Sequence, residues 1–242
     1  MKALFVACQN PTSRSWYPVG KLTRVNDEYC FNYTKGLSKL PDFRAFGRLT
    51  DLRAQYRSKV LFPLFANRIL PKNRPEHEEY VSWLALDVGD HNALDELART
   101  GGRRATDAIE LIPCPEPNDA GEYETLFFCR GLRHLTDDTR ARVSQLNSGD
   151  RLFILRDVQN SVDPSALLMR TGEPVSVVGY APAYLSAEFE QLIEINGPNA
   201  IRVTVERVNA DAPMQYRLLC RLITRWPKEF APFSGEDFQD YK

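Results

Sequence analysis

Short apolar runs in the first half of the chain predict a mixture of strands and helices. Runs rich in aromatic and β-branched side chains, which favour strands, lie at residues 2–7, 19–22, 29–33 and 108–112. Apolar positions follow the helical period over 76–86 and 92–99, which predicts two short amphipathic helices. Residues 34–58 are polar and predict irregular structure, whereas 60–70 predict helical turns that Pro63 interrupts. The pattern indicates a small α+β domain.

The second half of the chain contains mainly strand-like runs. They lie at residues 123–132, 151–156, 166–170, 174–180, 201–208 and 216–224. Helical periodicity occurs at about 138–146 and 186–194. Several short strands with two small helices predict a closed or partly open β-barrel of the OB-like or SH3-like kind. The predicted fold class is therefore α+β, with a small α+β domain followed by a small barrel.

Composition marks the boundary between the two patterns. Residues 113–121 read PCPEPNDAG, with three prolines and a glycine, which is typical of an exposed linker. We therefore predict domains at residues 1–113 and 123–226, joined by a linker at 114–122. Residues 227–242 form a C-terminal tail that either docks as a strap or frays.

Charge and hydropathy restrict the possible partners. The formal net charge is -1 and the sequence pI is about 6.3. A non-specific polyanion binder normally carries an excess of Lys and Arg, so any affinity for nucleic acid must come from a local patch. No apolar stretch reaches the roughly 18–20 residues that span a bilayer, and the first apolar run is too short for a secretory signal. We therefore expect a cytoplasmic protein without a membrane partner.

Few residues that could bind a metal or catalyse a reaction occur at a spacing typical of such sites. The five cysteines show no C-x-x-C or His-containing spacing, which favours buried, reduced thiols. His77 and His91 are predicted to lie on helix or loop surface without a partner. The sequence thus predicts no metal, no cofactor and no catalysis. The remaining catalytic alternative is a metal-dependent nuclease, whose metal would be bound by Asp150, Asp157 and Asp163.

Three separated blocks resemble the HIRAN family in order and spacing. They are GLRHLT at 131–136, GDRLFILRDVQNSVDPSAL at 149–167 and GYAP at 179–182, and the resemblance covers about residues 128–222. It implies a small β-barrel whose pocket holds the 3′ end of single-stranded DNA.

The resemblance implies a set of DNA-binding residues. They are Arg133, His134, Arg156, Asn160, Asp163 and Tyr180. Arg133 takes the position of a phosphate-binding arginine, whose fork of donors suits two phosphate oxygens. The alternative for Arg133 is a surface ion pair with Asp137 or Asp138.

Other members of this set also have two possible roles. Asn160 and Asp163 lie at a corner where they either face a ligand hydroxyl or base edge, or only shape the turn. Arg156 is expected to brace Asp157 or Asp163, with DNA contact as its alternative.

The chain departs from the family pattern at positions that stack on bases. His134 and Leu135 replace two aromatic residues, and Val162 replaces a third. Since each stacked base contributes about 1–3 kcal/mol in single-strand binders, these changes weaken base stacking. Tyr180 and Tyr184 either substitute for the missing rings or pack into the barrel.

Residues 19–113 resemble the N-terminal subdomain of HipA-type serine/threonine kinases. The matching runs are VGKL at 19–22, YCFNY at 29–33, LFPLFANRILP at 61–71, LAL at 84–86 and ALDELARTGG at 93–102. The resemblance implies contact with a protein partner. The catalytic motifs of a kinase have no counterpart in this sequence. Alternatively, the domain is a scaffold for the barrel or forms a homodimer.

The leading hypothesis is a non-catalytic DNA-binding accessory protein. Its barrel binds single-stranded DNA or DNA 3′ ends, and its N-terminal domain contacts a protein partner. The alternative is an adaptor or antitoxin-like regulator of a HipA-type kinase that does not bind DNA. A role in bacterial defence or in a mobile genetic element is suggested by analogy with the systems in which these two families occur.

Overall fold

The computed structural model describes residues 3–160, 163 and 165–242, and the chain divides into two compact units. The first unit consists of Met1–Ser82, Leu86–Cys114 and Ala231–Lys242. The second consists of Trp83–Ala85 and Pro115–Phe230. The chain therefore returns to the first unit with its C-terminal residues.

The described residues of the first unit form an antiparallel five-stranded sheet. Its strands are β1 (Ala3–Gln9), β2 (Trp16–Val25), β3 (Glu28–Tyr33), β4 (Tyr56–Ser58) and β5 (Ile109–Pro113), in the order β4-β3-β2-β1-β5. The strand predictions at β1, β2, β3 and β5 are confirmed. β4 lies in the segment predicted to be irregular, because its sequence YRS has no apolar run and only its pairing with β3 defines it.

Three α-helices accompany this sheet within the described residues. They are α1 (Pro63–Ala66), α2 (His77–Trp83) and α3 (Ala93–Thr100). The prediction that Pro63 interrupts a helix is wrong, because Pro63 stands in the first turn of α1, where its missing N–H needs no partner. The Asn92 side chain caps α3 by accepting from the Leu94 amide at 2.8 Å. Gly101 ends α3 in the left-handed conformation, with φ 70°.

Aromatic rings occupy much of the core of the first unit. Phe31 and Tyr33 on β3 pack edge-to-face at a centroid distance of 4.9 Å. Phe5 on β1 contacts Phe233 and Phe238 of the C-terminal tail at centroid distances of 5.4 and 4.8 Å. Of the two predicted alternatives for the tail, the structure has the docked one.

The second unit contains a curled six-stranded antiparallel sheet in its described residues. Its strands are β6 (Glu122–Phe128), β7 (Arg151–Arg156), β8 (Leu167–Arg170), β9 (Val177–Tyr180), β10 (Arg202–Val208) and β11 (Leu218–Arg225), in the order β6-β11-β10-β7-β8-β9. Helices α4 (Asp137–Ser144) and α5 (Ala183–Asn196) complete this mixed α/β unit. Alternate residues of β10, Val203 and Val205, are buried in a core that also contains Phe189 of α5. The predicted strands and helices are confirmed, although β6 ends earlier and β9 begins later than predicted.

The two edge strands of this sheet meet at an isolated bridge. The Arg130 amide donates to the Tyr180 carbonyl at 2.8 Å, and the Tyr180 amide donates to the Arg130 carbonyl at 2.9 Å. Gly179 permits this close approach, because a Cβ at that position would lie 2.4 Å from the Arg130 carbonyl oxygen. The bridge closes part of the gap between β6 and β9, so the sheet forms a half-barrel.

None of the helices in the described ranges is both long and apolar enough to cross a lipid bilayer. All five cysteines lie in the described part of the chain and none forms a disulfide; Cys8 and Cys114 are half-buried, and the other three are buried.

Candidate nucleic-acid interface

Arg133 lies on an exposed corner between β6 and α4. Gly131 adopts φ 81° and precedes the 3₁₀ turn Leu132–His134, in which Leu132 is buried while Arg133 and His134 are exposed. Arg133 Nε donates to His134 Nε2 at 3.0 Å. The corner therefore directs one cationic side chain and one imidazole into solvent.

The ion pairs predicted as the alternative for Arg133 are not found among the described residues. The Asp137 carboxylate pairs with Arg140, which also donates to the Leu135 carbonyl at 2.8 Å. Within that part of the chain no carboxylate lies at ion-pair distance from Arg133. The remaining donors of its guanidinium are available to a ligand.

The loop between β7 and β8 is organised by side-chain hydrogen bonds. The Asp163 amide donates to Asn160 Oδ1 at 2.9 Å, and Asp163 Oδ1 accepts from the Ser165 amide at 2.9 Å. Asn and Asp commonly fix turns in this way. The predicted alternative, in which Asn160 and Asp163 shape the turn, is thus observed. The carboxylate of Asp163 keeps further lone pairs that can accept from a ligand.

Tyr180 connects this turn to β9. Its hydroxyl donates to Asp157 Oδ2 at 2.8 Å, and Asn160 Nδ2 donates to the same oxygen at 3.4 Å. The hydrogen bond to Asp157 raises the pKa of Tyr180, and desolvation acts in the same direction. The phenol therefore stays protonated at neutral pH and holds the carboxylate in place.

The corner and the turn adjoin each other through Tyr180. The backbone of Tyr180 pairs with Arg130, and a Cβ at Gly131 would lie 3.3 Å from the Tyr180 ring. The segment that carries Arg133 thus packs on the tyrosine that holds Asp157. These contacts bring a cationic corner next to a turn that carries carboxylates and an amide.

Other predicted site residues have structural contacts. Arg156, which was expected to brace Asp157 or Asp163, lies with its Nε 3.6 Å from the Glu190 carboxylate of α5. Tyr184 is partly buried and packs against the core of the second unit, which was its alternative role. Leu135 is half-buried. Val162 lies outside the described residues.

The predicted surface position of two histidines is wrong. His77 is 8% exposed, and the side chain of His91 is 5% exposed. Both lie with Glu96 in a group whose ligand atoms could hold a metal ion. Sequence spacing did not reveal the group, because His77 begins α2 while His91 lies in the loop before α3, and only packing brings them together.

Sequence reasoning missed two residues of the candidate interface. Asp157 follows β7 directly and precedes Asn160 by three positions, a spacing that indicates a side-chain-bonded turn. The pairing of Arg130 has no sequence signal, since it depends on curling of the sheet. Among the described residues, Asp150, Asp157 and Asp163 do not form the metal-binding group proposed for a nuclease.

A curled half-barrel with two helices is the architecture of small β-barrel modules. Residues 123–226 match the model of the HIRAN domain, which supports the resemblance noted in the sequence. The resemblance of residues 19–113 to the N-terminal subdomain of HipA-type kinases stays a prediction.

Two solved structures are similar to part of the chain. The first is the crystal structure of the HIRAN domain of human HLTF, which is 14% identical in sequence. The match covers 44% of this chain and 80% of the HLTF domain chain, with a TM-score of 0.32. The second is the crystal structure of a Lactobacillus plantarum protein, which is 17% identical in sequence. The match covers 43% of this chain and 100% of the Lactobacillus plantarum chain, with a TM-score of 0.31. No curated protein matches the chain.

Proposed function

We propose that this chain is a non-catalytic DNA-binding accessory protein whose HIRAN domain binds single-stranded DNA at a 3′ end. HIRAN is typically a DNA-binding domain, which supports the general role. The observation that carries the finer proposal is the contact of the Arg133 corner with Tyr180, which in turn holds the turn of Asp157, Asn160 and Asp163. A group that can bind phosphate therefore lies next to groups that can bind a hydroxyl.

Each group suits one part of a DNA terminus. The Arg133 guanidinium offers a fork of donors to two phosphate oxygens. A carboxylate only accepts, so Asp157 or Asp163 can accept from a terminal 3′ hydroxyl. A 3′ phosphate has no comparable donor and carries charge of the same sign as the carboxylates. The site is therefore expected to prefer a free 3′ hydroxyl to a 3′ phosphate.

Affinity is expected to be modest. His134 and Leu135 supply no large aromatic ring where the family pattern has two, and each stacked base is worth about 1–3 kcal/mol. The formal net charge of -1 also provides little long-range attraction to a polyanion. Binding at a specific terminus, where several polar contacts converge, is favoured over binding along the strand.

Fluorescence anisotropy of the full chain with 5′-labelled oligonucleotides tests the proposal. The strands end in a 3′ hydroxyl or a 3′ phosphate, and a blunt duplex is the third ligand. We expect the tightest binding for the free hydroxyl, and Arg133→Ala should weaken it by about tenfold or more, as for loss of a charge-assisted hydrogen bond. Asp163→Asn should reduce the preference for hydroxyl over phosphate.

Arg202→Ala is the matched control, because Arg202 is exposed on β10 of the same domain and its loss changes the net charge equally. This variant should bind like the wild type. No binding of any strand at low salt rejects the proposal and favours the alternative function. Equal loss in Arg133→Ala and Arg202→Ala indicates a general charge effect and contradicts an end site.

The proposal also assigns residues 1–113 to contact with a protein partner. It is supported by the resemblance of residues 19–113 to the HipA N-terminal subdomain. The alternative function is an antitoxin-like regulator of a HipA-type kinase that itself lacks this subdomain. Kinase assays with and without the purified full chain separate the two: inhibition together with absent DNA binding favours the regulator.

A further inference from the structure

Three buried polar side chains of the first unit converge without the hydrogen bonds that burial normally requires. The ligand atoms of His77, His91 and Glu96 lie within 4.8 Å of one another. In the described part of the chain, His77 Nε2, His91 Nε2 and Glu96 Oε2 are buried and have no hydrogen-bond partner. Since buried polar atoms are nearly always paired, this convergence indicates a missing partner common to all three.

His91 is oriented as a metal-binding histidine. Its Nδ1 lies 2.8 Å from the Asp87 carbonyl oxygen, which can only accept, so Nδ1 carries the proton. A backbone carbonyl on the second ring nitrogen is a common support of metal-ligating histidines. In the neutral ring, Nε2 then presents its lone pair to Glu96 Oε1 at 3.2 Å. Two lone pairs at that distance repel each other unless a proton or cation lies between them.

A proton is not sufficient to satisfy the group. Protonated His91 would pair with Glu96 Oε1, but His77 Nε2 and Glu96 Oε2 would remain buried and unpaired among the described residues. A metal ion can bind both imidazoles and the carboxylate at once. It also supplies the positive charge that a buried carboxylate needs.

We propose that His77, His91 and Glu96 bind a divalent transition-metal ion, with Zn²⁺ as the ion best suited to them. Two imidazoles and a carboxylate are an established donor set for zinc, which keeps its fourth position for water. With bonds of about 2.0–2.2 Å, two ligands of a tetrahedral ion lie about 3.4 Å apart. The 3.2 Å between His91 Nε2 and Glu96 Oε1 already fits, and the ligand atom of His77 lies within 4.8 Å of the other two.

The ion links α2 to α3 across the loop that contains His91. His77 is the first residue of α2, and Glu96 lies in the first half of α3. The bound ion therefore stabilises the helical part of the first unit.

The test uses the purified full chain, stripped with a chelator and reloaded with Zn²⁺ or Co²⁺. We expect a single equivalent of metal per chain by elemental analysis and a higher Tm in the loaded protein. The Co²⁺ form should show the absorption of tetrahedral nitrogen and oxygen coordination. His77→Gln and Glu96→Gln should weaken binding about a hundredfold or more, since loss of even a supporting partner weakens it by about 10–100-fold.

His134→Gln is the matched control, because it removes the remaining histidine of the chain, which lies in the second unit. This variant should keep its metal. Stoichiometric binding that survives in His77→Gln and Glu96→Gln overturns the proposal, as does failure of the stripped wild type to take up Zn²⁺. If both variants fail to fold, the Co²⁺ spectrum of the wild type decides: a thiolate charge-transfer band places the metal on cysteine and contradicts the site.

Discussion

The Tyr180 hydroxyl donates a hydrogen bond to Asp157 Oδ2 at 2.8 Å and so joins β9 to the turn after β7. Removing the hydroxyl leaves a partly buried carboxylate with one donor fewer. We expect Tyr180→Phe to lower the free energy of unfolding by about 1–2 kcal/mol, measured by urea denaturation. The single-strand affinity should also fall, because the turn loses an anchor.

A double-mutant cycle isolates this bond from other effects of the substitution. Asp157→Asn and Tyr180→Phe, alone and together, should show a coupling energy of about 0.5–3 kcal/mol, as for residues in one hydrogen-bond network. Additive effects of the two substitutions would mean that the bond does not contribute to stability.

Arg133 should contribute to the salt dependence of DNA binding. If it neutralises one phosphate, Arg133→Ala should reduce the slope of log K against log salt by about 0.7, the value for single strands. The measurement is anisotropy across a salt series, with Arg202→Ala as control. An unchanged slope in Arg133→Ala would show that this guanidinium does not contact phosphate.

Glu188 should make stability depend on pH. It is buried in α5 and accepts from the Tyr123 hydroxyl at 2.8 Å. Burial raises the pKa of Glu188 to about 7 from 4.5, with the hydrogen bond from Tyr123 acting the other way. The folded chain thus binds this proton more tightly than the unfolded chain, so protonation of Glu188 stabilises the fold. This stabilisation is complete below pH 4.5 and is lost as the pH rises through about 7.

The free energy of unfolding of the wild type, relative to Glu188→Gln, should therefore fall by roughly 3 kcal/mol between these pH values. Urea denaturation at several pH values provides the measurement. Glu194→Gln, which changes an exposed glutamate of the same helix, is the control and should show no such trend. Parallel pH profiles for wild type and Glu188→Gln would contradict the raised pKa.

Substitution of Gly179 should lower the free energy of unfolding more than substitution of another glycine with positive φ. Gly179→Ala would place a Cβ 2.4 Å from the Arg130 carbonyl oxygen at φ 125°, so the bridge to Tyr180 has to break or shift. We expect a loss of about 3 kcal/mol or more in the free energy of unfolding. Gly149→Ala, at φ 90° with open space around it, should cost only about 1 kcal/mol. Similar losses for both would show that the close approach is unimportant.

Local pattern was sufficient to predict most elements of the second unit. β7 has the buried Leu152 between more exposed neighbours, and periodicity placed α5. Order and spacing of three blocks also predicted the HIRAN domain and the turn of Asn160 and Asp163. Such features lie within short stretches of chain, where period and turn chemistry act directly.

Contacts between distant parts of the chain could not be predicted in this way. The bridge of Arg130 to Tyr180 depends on how far the sheet curls, and β4 exists only by pairing with β3. The docking of Phe238 on Phe5 joins the two ends of the first unit. The sequence by itself determined the elements and the HIRAN blocks, because periodicity and turn chemistry are local. Only the tertiary structure decided which side chains meet, including His77, His91 and Glu96, because burial and packing are set by the whole fold.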